Sequence, residues 1–248
     1  MANKRALGFL SWSTKRYRRH TEAALAPLCD DIRNSGCENV LLSGDLVNIA
    51  LPSEFARAKE WLGETFPNQQ VIFAPGNHDT YVKTPWQNSL GMFGEQMIGR
   101  RDLDEADRAP NGFDDFPFIR LLGGRDGAAI IAANSSPSTP PGLATGSLGA
   151  GQRARIRTAL SKTDGMFRVL MLHHPINDGV VSNRKGLTDR AALRDIIAET
   201  GVELVLHGHA HIPYLGVTAV PGGTSPVFGG GSASHPIGHG EYLSLIHI

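Results

Sequence analysis

The sequence predicts an α/β fold in which two sheets stack face to face beneath covering helices. Short apolar runs at residues 40–42, 71–74, 169–172 and 202–206 have the length of buried strands, and they alternate with segments of helical periodicity. Each run ends in a cluster of polar residues. Because ligands of α/β sheets bind at the carboxyl ends of the strands, these clusters predict a functional site at one edge.

The covering helices are predicted from apolar residues that recur every three or four positions. In the first helix, Leu25, Leu28 and Ile32 form this stripe, and Gly36 ends the helix. Ser53 is the predicted N-cap of the second. The four helical segments are residues 20–35, 53–66, 150–161 and 188–200. Further short strands are predicted at residues 119–122, 128–133, 217–220 and 226–228.

Two segments interrupt this pattern. Residues 1–39 form a basic lead-in segment followed by the first helix, and six cations precede the first acid, Glu22: Lys4, Arg5, Lys15, Arg16, Arg18 and Arg19. The modest apolar content favours a solvated basic loop over a membrane-surface or polyanion-binding segment. Residues 84–117 are loop-rich, with a short helix predicted near residues 90–100, and we expect them to form a cap or specificity segment.

Composition restricts the class of protein before any motif is considered. The 248 residues carry 24 Lys plus Arg against 24 Asp plus Glu, and this zero net charge gives no support to a nucleic-acid partner. No apolar run approaches the roughly 20 residues of a transmembrane helix. The two cysteines, Cys29 and Cys37, form no CxxC motif and favour a reducing, cytoplasmic location.

Six of the ten histidines lie in the polar clusters, together with two carboxylates and an amide. The cluster residues are Asp45, Asn77, His78, Asp79, His173, His174, His207, His209 and His211. A lone histidine is usually structural, but His-His-Pro and His-Gly-His-Ala-His are hard to explain as packing. Carboxylate, amide oxygen and imidazole together suit a divalent ion such as Mn, Fe, Co or Zn. The lack of a thiolate argues against a structural zinc site.

Four motifs, in this order, resemble those of one family: Gly44-Asp45-Leu46-Val47-Asn48, Gly76-Asn77-His78-Asp79, His173-His174-Pro175 and Gly208-His209-Ala210-His211. Together they resemble the calcineurin-like metallophosphoesterases, and the chain resembles the bacterial branch grouped with class III cyclic-nucleotide phosphodiesterases. GNHD combined with GHxH is specific, whereas either motif alone is weak. The resemblance implies a four-layer α/β/β/α sandwich and a phosphoesterase domain over residues 40–242.

The resemblance also implies a site that holds two metal ions. Asp45 would bridge the ions, Asn77, His173 and His209 would complete the second site, and His211 would belong to the first. The implied chemistry is hydrolysis of a small phosphoester by a metal-bound hydroxide.

The remaining motif residues have supporting roles in this interpretation. His78 would be the acid or charge-stabilising group near the leaving oxygen, and Asp79 would orient it. His174 is expected to lie behind the ligands. His207 is expected, with equal weight, either to support a ligand or to pack at the end of its strand. Asn48, where many relatives have aspartate, is expected to hydrogen-bond within its loop.

The family's first motif, a strand followed by Asp-x-His, is absent from the sequence. The best local match places Trp12 and Thr14 at the ligand positions, and neither can replace a ligand. β-Branched residues are rare before residue 39, so the first strand is expected to be missing too. We therefore predict that Met1 is an internal or misassigned start. The first metal site would keep only Asp45 and His211, so at most one ion would bind tightly.

The sequence favours a metal-dependent phosphomono- or diesterase that is impaired in this chain. The alternatives are a non-catalytic scaffold or binding module on the same fold, and a related hydrolase of a lipid-linked pyrophosphate. A drifted scaffold would carry scattered substitutions, whereas here four motifs are intact and one is missing as a block. Residues 243–248 are predicted to be a non-native tail that resembles a translated transposon end. Metal identity and oligomeric state stay open.

Overall fold

A computed structural model describes residues 4–14, 22–124 and 127–234. The helices are α1 (Lys4–Thr14), α2 (Glu22–Asn34), α3 (Pro52–Thr65), α4 (Gly149–Lys162) and α5 (Arg190–Thr200). The strands are β1 (Asn39–Leu42), β2 (Gln70–Phe73), β3 (Phe118–Leu122), β4 (Ala128–Ala132), β5 (Phe167–Met171), β6 (Leu204–His211), β7 (Tyr214–Val220) and β8 (Gly223–Gly231). The predicted tail, residues 243–248, lies outside the described residues.

Six strands form the larger sheet in the order β3-β4-β5-β6-β8-β7. The four inner strands are parallel, and the two edge strands pair antiparallel to their neighbours. β6 pairs with β8 beyond an irregularity between His207 and His211, so it continues through the histidine motif. The predicted strand at residues 202–206 was therefore too short, because a bulge lets the pairing pass the glycine and histidines.

The larger sheet is buried on both faces, as the apolar runs require. On β4, Ile130 faces one apolar cluster with β1, β2, α2 and α3, whereas Ile131 faces a second cluster with α4 and α5. Val169 and Leu170 of β5 divide in the same way. The predicted four-layer α/β/β/α order is confirmed, and it follows from the two-residue period of the strands.

The smaller sheet lies on the α2 and α3 side. Its strands β1 and β2 pair in parallel, with Val40 opposite Val71. Within the described residues no third strand joins them, and the segment described before α2 is helical.

Two local predictions were wrong. α3 begins at Pro52 with Leu51 as the N-cap, and the Glu54 carboxylate accepts the backbone N–H groups of Ile49 and Leu51 at 3.0 Å each. Ser53 therefore lies inside the helix, because Pro52 suits the first helical position. The short helix expected near residues 90–100 is replaced by 3₁₀ turns whose apolar side chains, such as Phe93, enter the core.

The amino-terminal basic segment differs most from its prediction. Lys4–Thr14 form a helix, not a solvated loop, whereas Lys15, Arg16, Arg18 and Arg19 lie outside the described residues. Arg5 donates to the carbonyl oxygens of Ile49 (3.2 Å) and Ala50 (2.6 Å), and Lys4 Nζ donates to the carbonyl of Thr139 (2.7 Å). These partners are 44 or more residues away in sequence, so local periodicity could not reveal them. No helix among the described residues is long and apolar enough to cross a membrane.

Candidate metal centre

The polar clusters meet where the two sheets face each other. Asp45 follows β1, Asn77 follows β2, His173 follows β5, and His209 lies near the end of β6. The glycines of the motifs permit this approach. A β-carbon on Gly44 would collide with the backbone of Gly76 and with the His173 ring, and one on Gly76 would collide with the Asp45 carboxylate.

Three side chains converge on the Nε2 atom of His173. This nitrogen lies 3.0 Å from Asn77 Oδ1, 3.1 Å from His209 Nδ1 and 3.4 Å from Asp45 Oδ2. The other ring nitrogen, Nδ1, donates to the carbonyl oxygen of Ser43 at 2.6 Å. A backbone carbonyl can only accept, so this bond fixes the ring orientation of His173 and aims Nε2 at the cluster.

The spacing of these donors fits a divalent ion. Oxygen and nitrogen ligands lie about 2.1 Å from such ions, so neighbouring ligands are roughly 3.0–3.4 Å apart in octahedral or tetrahedral geometry. The three measured separations fall in this interval. Candidate ligand atoms of Asp45, His173 and His209 all lie within 4.8 Å of one another, so this triad of the described residues has the geometry to hold a metal ion.

The protonation states also fit a metal. Burial lowers the pKa of His209 to about 3, with a further contribution from His173, so its imidazole is neutral and able to act as a ligand. Burial alone would raise the pKa of Asp45, but the charges of His173 and His78 hold it well below its ordinary value. For His173, burial lowers the pKa, but the charge and hydrogen bond of Asp45, together with the hydrogen bond to the Ser43 carbonyl and the charge of Asp79, outweigh burial, so the pKa is raised. Metal binding would displace that proton.

Backbone strain is concentrated at the same place. Asp45, His209 and His211 adopt left-handed backbone angles of φ 63°, 65° and 59°. Such conformations cost roughly 1–3 kcal/mol each in residues other than glycine and cluster at functional sites. The side chains of Asp45 and His209 meet at the cluster, whereas His211 is exposed and lies outside it.

Asp79 connects the two loops that carry Asp45 and Asn77. Its carboxylate accepts backbone N–H groups from Gly76 (2.7 Å), Asp45 (2.8 Å) and Val47 (3.2 Å), which ties the loop after β2 to the loop after β1. Burial raises the pKa of Asp79 to about 7, with a further contribution from the negative charge of Asp45.

The ring of His78 is held by other partners. Its Nδ1 lies 2.5 Å from the carbonyl oxygen of Asn48 and therefore donates to it. Its ring stacks on Tyr81 with centroids 5.6 Å apart and planes 7° apart, and its backbone N–H donates to Asp45 Oδ1 at 2.8 Å. The partner of Nδ1 is thus the Asn48 carbonyl, and the orienting role expected of Asp79 stays a prediction. Sequence analysis missed the Asn48 carbonyl because a backbone partner has no residue-specific signal. The stacking partner Tyr81 could have been found, since it lies only three residues after His78.

Two more histidines lie behind the cluster. His174 is buried, with Nδ1 accepting from Ser135 Oγ at 2.9 Å and Nε2 donating to the Ala144 carbonyl at 3.2 Å, and burial holds its pKa well below 6.5. Its ring centroid lies 4.5 Å from that of His209, so it supports that ligand. His207 packs against Tyr214, with ring centroids 5.6 Å apart.

His211 is placed differently from the other predicted ligands. It is exposed at the end of β6 and lies outside the triad, yet its charge is close enough to lower the pKa of His209. The structure thus brings Asp45, Asn77, His173 and His209 together and leaves His211 at the rim.

A four-layer α/β/β/α sandwich with a buried His/Asp/Asn centre between its sheets defines a class of metal-binding proteins. A family model for calcineurin-like phosphoesterases matches residues 20–213, and the chain belongs to this family. Comparison with curated proteins found no match.

Two solved structures share the fold. A dimetal phosphatase from Danio rerio superposes with a TM-score of 0.58 at 12% identity, covering 86% of this chain and 78% of the other. The sulfate thiohydrolase SoxB from Thermus thermophilus, solved with glycerol, gives a TM-score of 0.50 at 18% identity, covering 85% of this chain and 38% of that enzyme. At these identities the likeness concerns the fold.

Proposed function

We propose that this calcineurin-like phosphoesterase hydrolyses a small phosphomono- or diester with a divalent ion held by Asp45, Asn77, His173 and His209. The observation that carries the proposal is the convergence of three donor atoms on His173 Nε2 at 3.0–3.4 Å. When bound there, such an ion withdraws charge from the phosphoryl oxygens and lowers the pKa of a water molecule.

The other residues of the centre supply positioning and proton transfer. The Asn48 carbonyl occupies Nδ1 of His78, so donation of a proton to the leaving oxygen falls to Nε2. Tyr81 stacks against this ring and limits its rotation. Asp79 holds the loops that carry Asp45 and Asn77 in register through three backbone N–H groups.

A cleft of about 650 Å³ opens beside Asp79 and Thr80. Residues 84–117 contribute Thr84, Ser89, Leu90, Phe113 and Asp114 to its wall. Val82, Lys83, the loop at residues 134–138 and the segment that leads into α4 also line it. We infer that the part of the substrate beyond the phosphoryl group binds here. This assignment supports the specificity role expected for residues 84–117. The free thiols of Cys29 and Cys37 support a reducing, cytoplasmic location.

One feature favours the scaffold alternative. The sequence contains no Asp-x-His motif, and the exposed His211 with the shared Asp45 would be the only ligands of the first metal site. We therefore propose that one ion binds tightly and that turnover is reduced.

The test is hydrolysis of bis-p-nitrophenyl phosphate and p-nitrophenyl phosphate by the purified chain with added Mn²⁺, compared with an Asp45→Asn variant. Activity above that of the variant supports the enzyme. Metal binding without any such activity would favour the scaffold.

A further inference from the structure

Two cations line the cleft beside Asp79, and neither is paired with an acid. Lys83 is exposed on its wall, and Arg155 reaches the wall from α4. Arg153 and Arg157, two residues before and after Arg155 on the same helix, are each paired with a carboxylate. No ion pair among the described residues includes Lys83 or Arg155. Both positive charges are therefore available to a ligand.

Most N–H donors of these two cations are also unused. Arg155 Nε donates to the carbonyl oxygen of Phe116 at 2.8 Å, which fixes the guanidinium, whereas Nη1 and Nη2 have no hydrogen-bond partner among the described residues. Lys83 also lines an adjoining cavity of about 500 Å³, shared with Lys4. Lys4 Nζ already donates to the carbonyl of Thr139 at 2.7 Å, but within the described ranges Lys83 Nζ has no such partner. An oxyanion could accept from both groups.

The hydroxyl groups of the cleft wall are committed in the opposite way. Thr80 Oγ1 donates to the carbonyl oxygen of Gly76 at 3.2 Å, and Ser138 Oγ donates to that of Thr80 at 2.8 Å. Ser136 Oγ donates to the carbonyl of Pro75 at 3.2 Å. A hydroxyl has one proton to donate, so these groups present lone pairs to the cleft. Contact with an anion therefore depends mainly on the two cations.

The acids of the same wall leave these cations uncompensated. The two carboxylate oxygens of Asp79 accept three backbone N–H groups. Asp114 is exposed and belongs to no ion pair within the described part of the chain. A cleft attracts anions when its cations are unpaired, and its walls strengthen the contact because they exclude part of the water.

We propose that Lys83 and Arg155 bind a second phosphate group of the substrate. The substrate is then a small molecule in which a sugar-sized body joins two phosphates, and a cleft of about 650 Å³ accommodates such a body. A phosphate dianion matches two cations, whereas a carboxylate would leave one of them unpaired. The assignment rests on the proposed function only in placing the scissile phosphoryl group at the metal centre.

The experiment is isothermal titration of the full chain, with added Mn²⁺, with alkane diphosphonates of three to six carbons and with the matching alkyl monophosphonates. A carbon–phosphorus bond is not a phosphoester, so neither ligand is consumed. At least one diphosphonate should bind about tenfold or more tightly than its monophosphonate. Lys83→Gln and Arg155→Gln should each lower its affinity about fivefold or more, while the affinity for the monophosphonate stays within twofold.

The matched controls are Lys59→Gln on α3 and Arg157→Gln on α4, which each neutralise a cation outside the cleft and should leave both affinities unchanged. Lys83 is exposed, so its variant tests the contact without disturbing the core, and circular dichroism verifies that the Arg155 variant is folded. Equal binding of both ligand types, unaltered affinities in both cleft variants, or equal losses for the two ligands would each overturn the proposal. A chain that prefers the diphosphonate through these cations but hydrolyses no ester supports the second phosphate site and overturns only the proposed hydrolysis.

Discussion

The adjacent strands β5 and β6 have two ends built in contrasting ways. At the amino ends, Arg168 donates through Nε and Nη2 to the two oxygens of Glu203 at 2.8 Å each. Its Nη1 donates to the carbonyls of Leu160 (3.1 Å) and Thr200 (2.9 Å), which closes the ends of α4 and α5. The buried guanidinium is paired with a carboxylate and bound to two carbonyls, as stability requires.

At the carboxyl ends the polar groups are incompletely satisfied. His173 Nε2 faces three donor atoms, and His209 Nε2 is buried without a hydrogen-bond partner among the described residues. His209 also adopts a left-handed backbone conformation. The same two strands therefore have a closed ion-pair network at one end and a strained, incompletely paired set of donors at the other, and such strain and unpaired groups are typical of functional sites.

The largest expected effect is on metal affinity, and it distinguishes the carboxyl ends of β5 and β6 from their amino ends. His173→Ala removes the nitrogen around which the other donors are arranged, so affinity for Mn²⁺ should fall roughly 100-fold or more, beyond the 10- to 100-fold loss typical of supporting residues. Isothermal titration measures this loss. Glu203→Gln, at the opposite end of the same strands, should bind Mn²⁺ with the parent's affinity. Equal losses in both variants would show that metal binding depends on stability and not on this site.

Substitution of His78 tests whether the cluster at the carboxyl ends contains a proton donor in addition to the metal ligands. His78→Gln should lower kcat by about 10²- to 10⁴-fold, the usual contribution of a general acid, while metal affinity stays within twofold of the parent. Steady-state kinetics with p-nitrophenyl esters and a parallel metal titration provide both readouts. A kcat unchanged by the substitution would remove His78 from the reaction.

The amino-end network should affect stability alone. Glu203→Gln leaves the buried Arg168 with only the exposed Asp164 carboxylate, 3.4 Å away, and should lower the free energy of unfolding by about 1–2 kcal/mol, after allowance for the partial exposure of Glu203. Urea unfolding measures the change. An unaltered unfolding midpoint would contradict the contrast between the two ends.

The Arg168–Glu203 pair should make the free energy of unfolding depend on pH. Burial raises the pKa of Glu203, but hydrogen bonds and charge from Arg168 outweigh burial and hold it below its ordinary 4.5. Because the folded-state pKa is depressed, the stabilisation is present above pH 4.5 and is lost as the pH falls through the folded-state value. The difference between parent and Glu203→Gln should therefore shrink below pH 4.5.

The smallest effect concerns the support of His78. Tyr81→Ala removes a ring stack worth about 0.5–1.5 kcal/mol and should lower kcat by up to about tenfold. Tyr81→Phe keeps the stack and should retain the parent kcat. A Phe variant as impaired as the Ala variant would assign the effect to the hydroxyl group instead.

Sequence analysis predicted the buried sheet and its polar edge because both depend on local patterns. After Arg168, β5 continues as the apolar run Val169–Met171, and a parallel strand buried on both faces requires such a run. Asp45 follows a strand of the smaller sheet and His173 a strand of the larger one, so their convergence was implied by the family resemblance of the motifs and not by a shared sheet edge.

Features set by distant contacts were not predictable in the same way. α1 is fixed by bonds from Lys4 and Arg5 to residues far along the chain, and its local apolar pattern is weak. The extension of β6 depends on pairing with β8, which no local propensity specifies. The carbonyls of Ser43 and Asn48 orient His173 and His78, and backbone groups carry no residue-specific signal.

The most direct test of the account is the metal content of the purified chain after equilibrium dialysis against Mn²⁺ or Zn²⁺, measured by mass spectrometry. We expect one firmly held ion per chain, retained in His211→Ala and in Glu203→Gln and absent from His173→Ala. An unaltered metal content in His173→Ala, no bound ion in the parent chain, or two firmly held ions would contradict it.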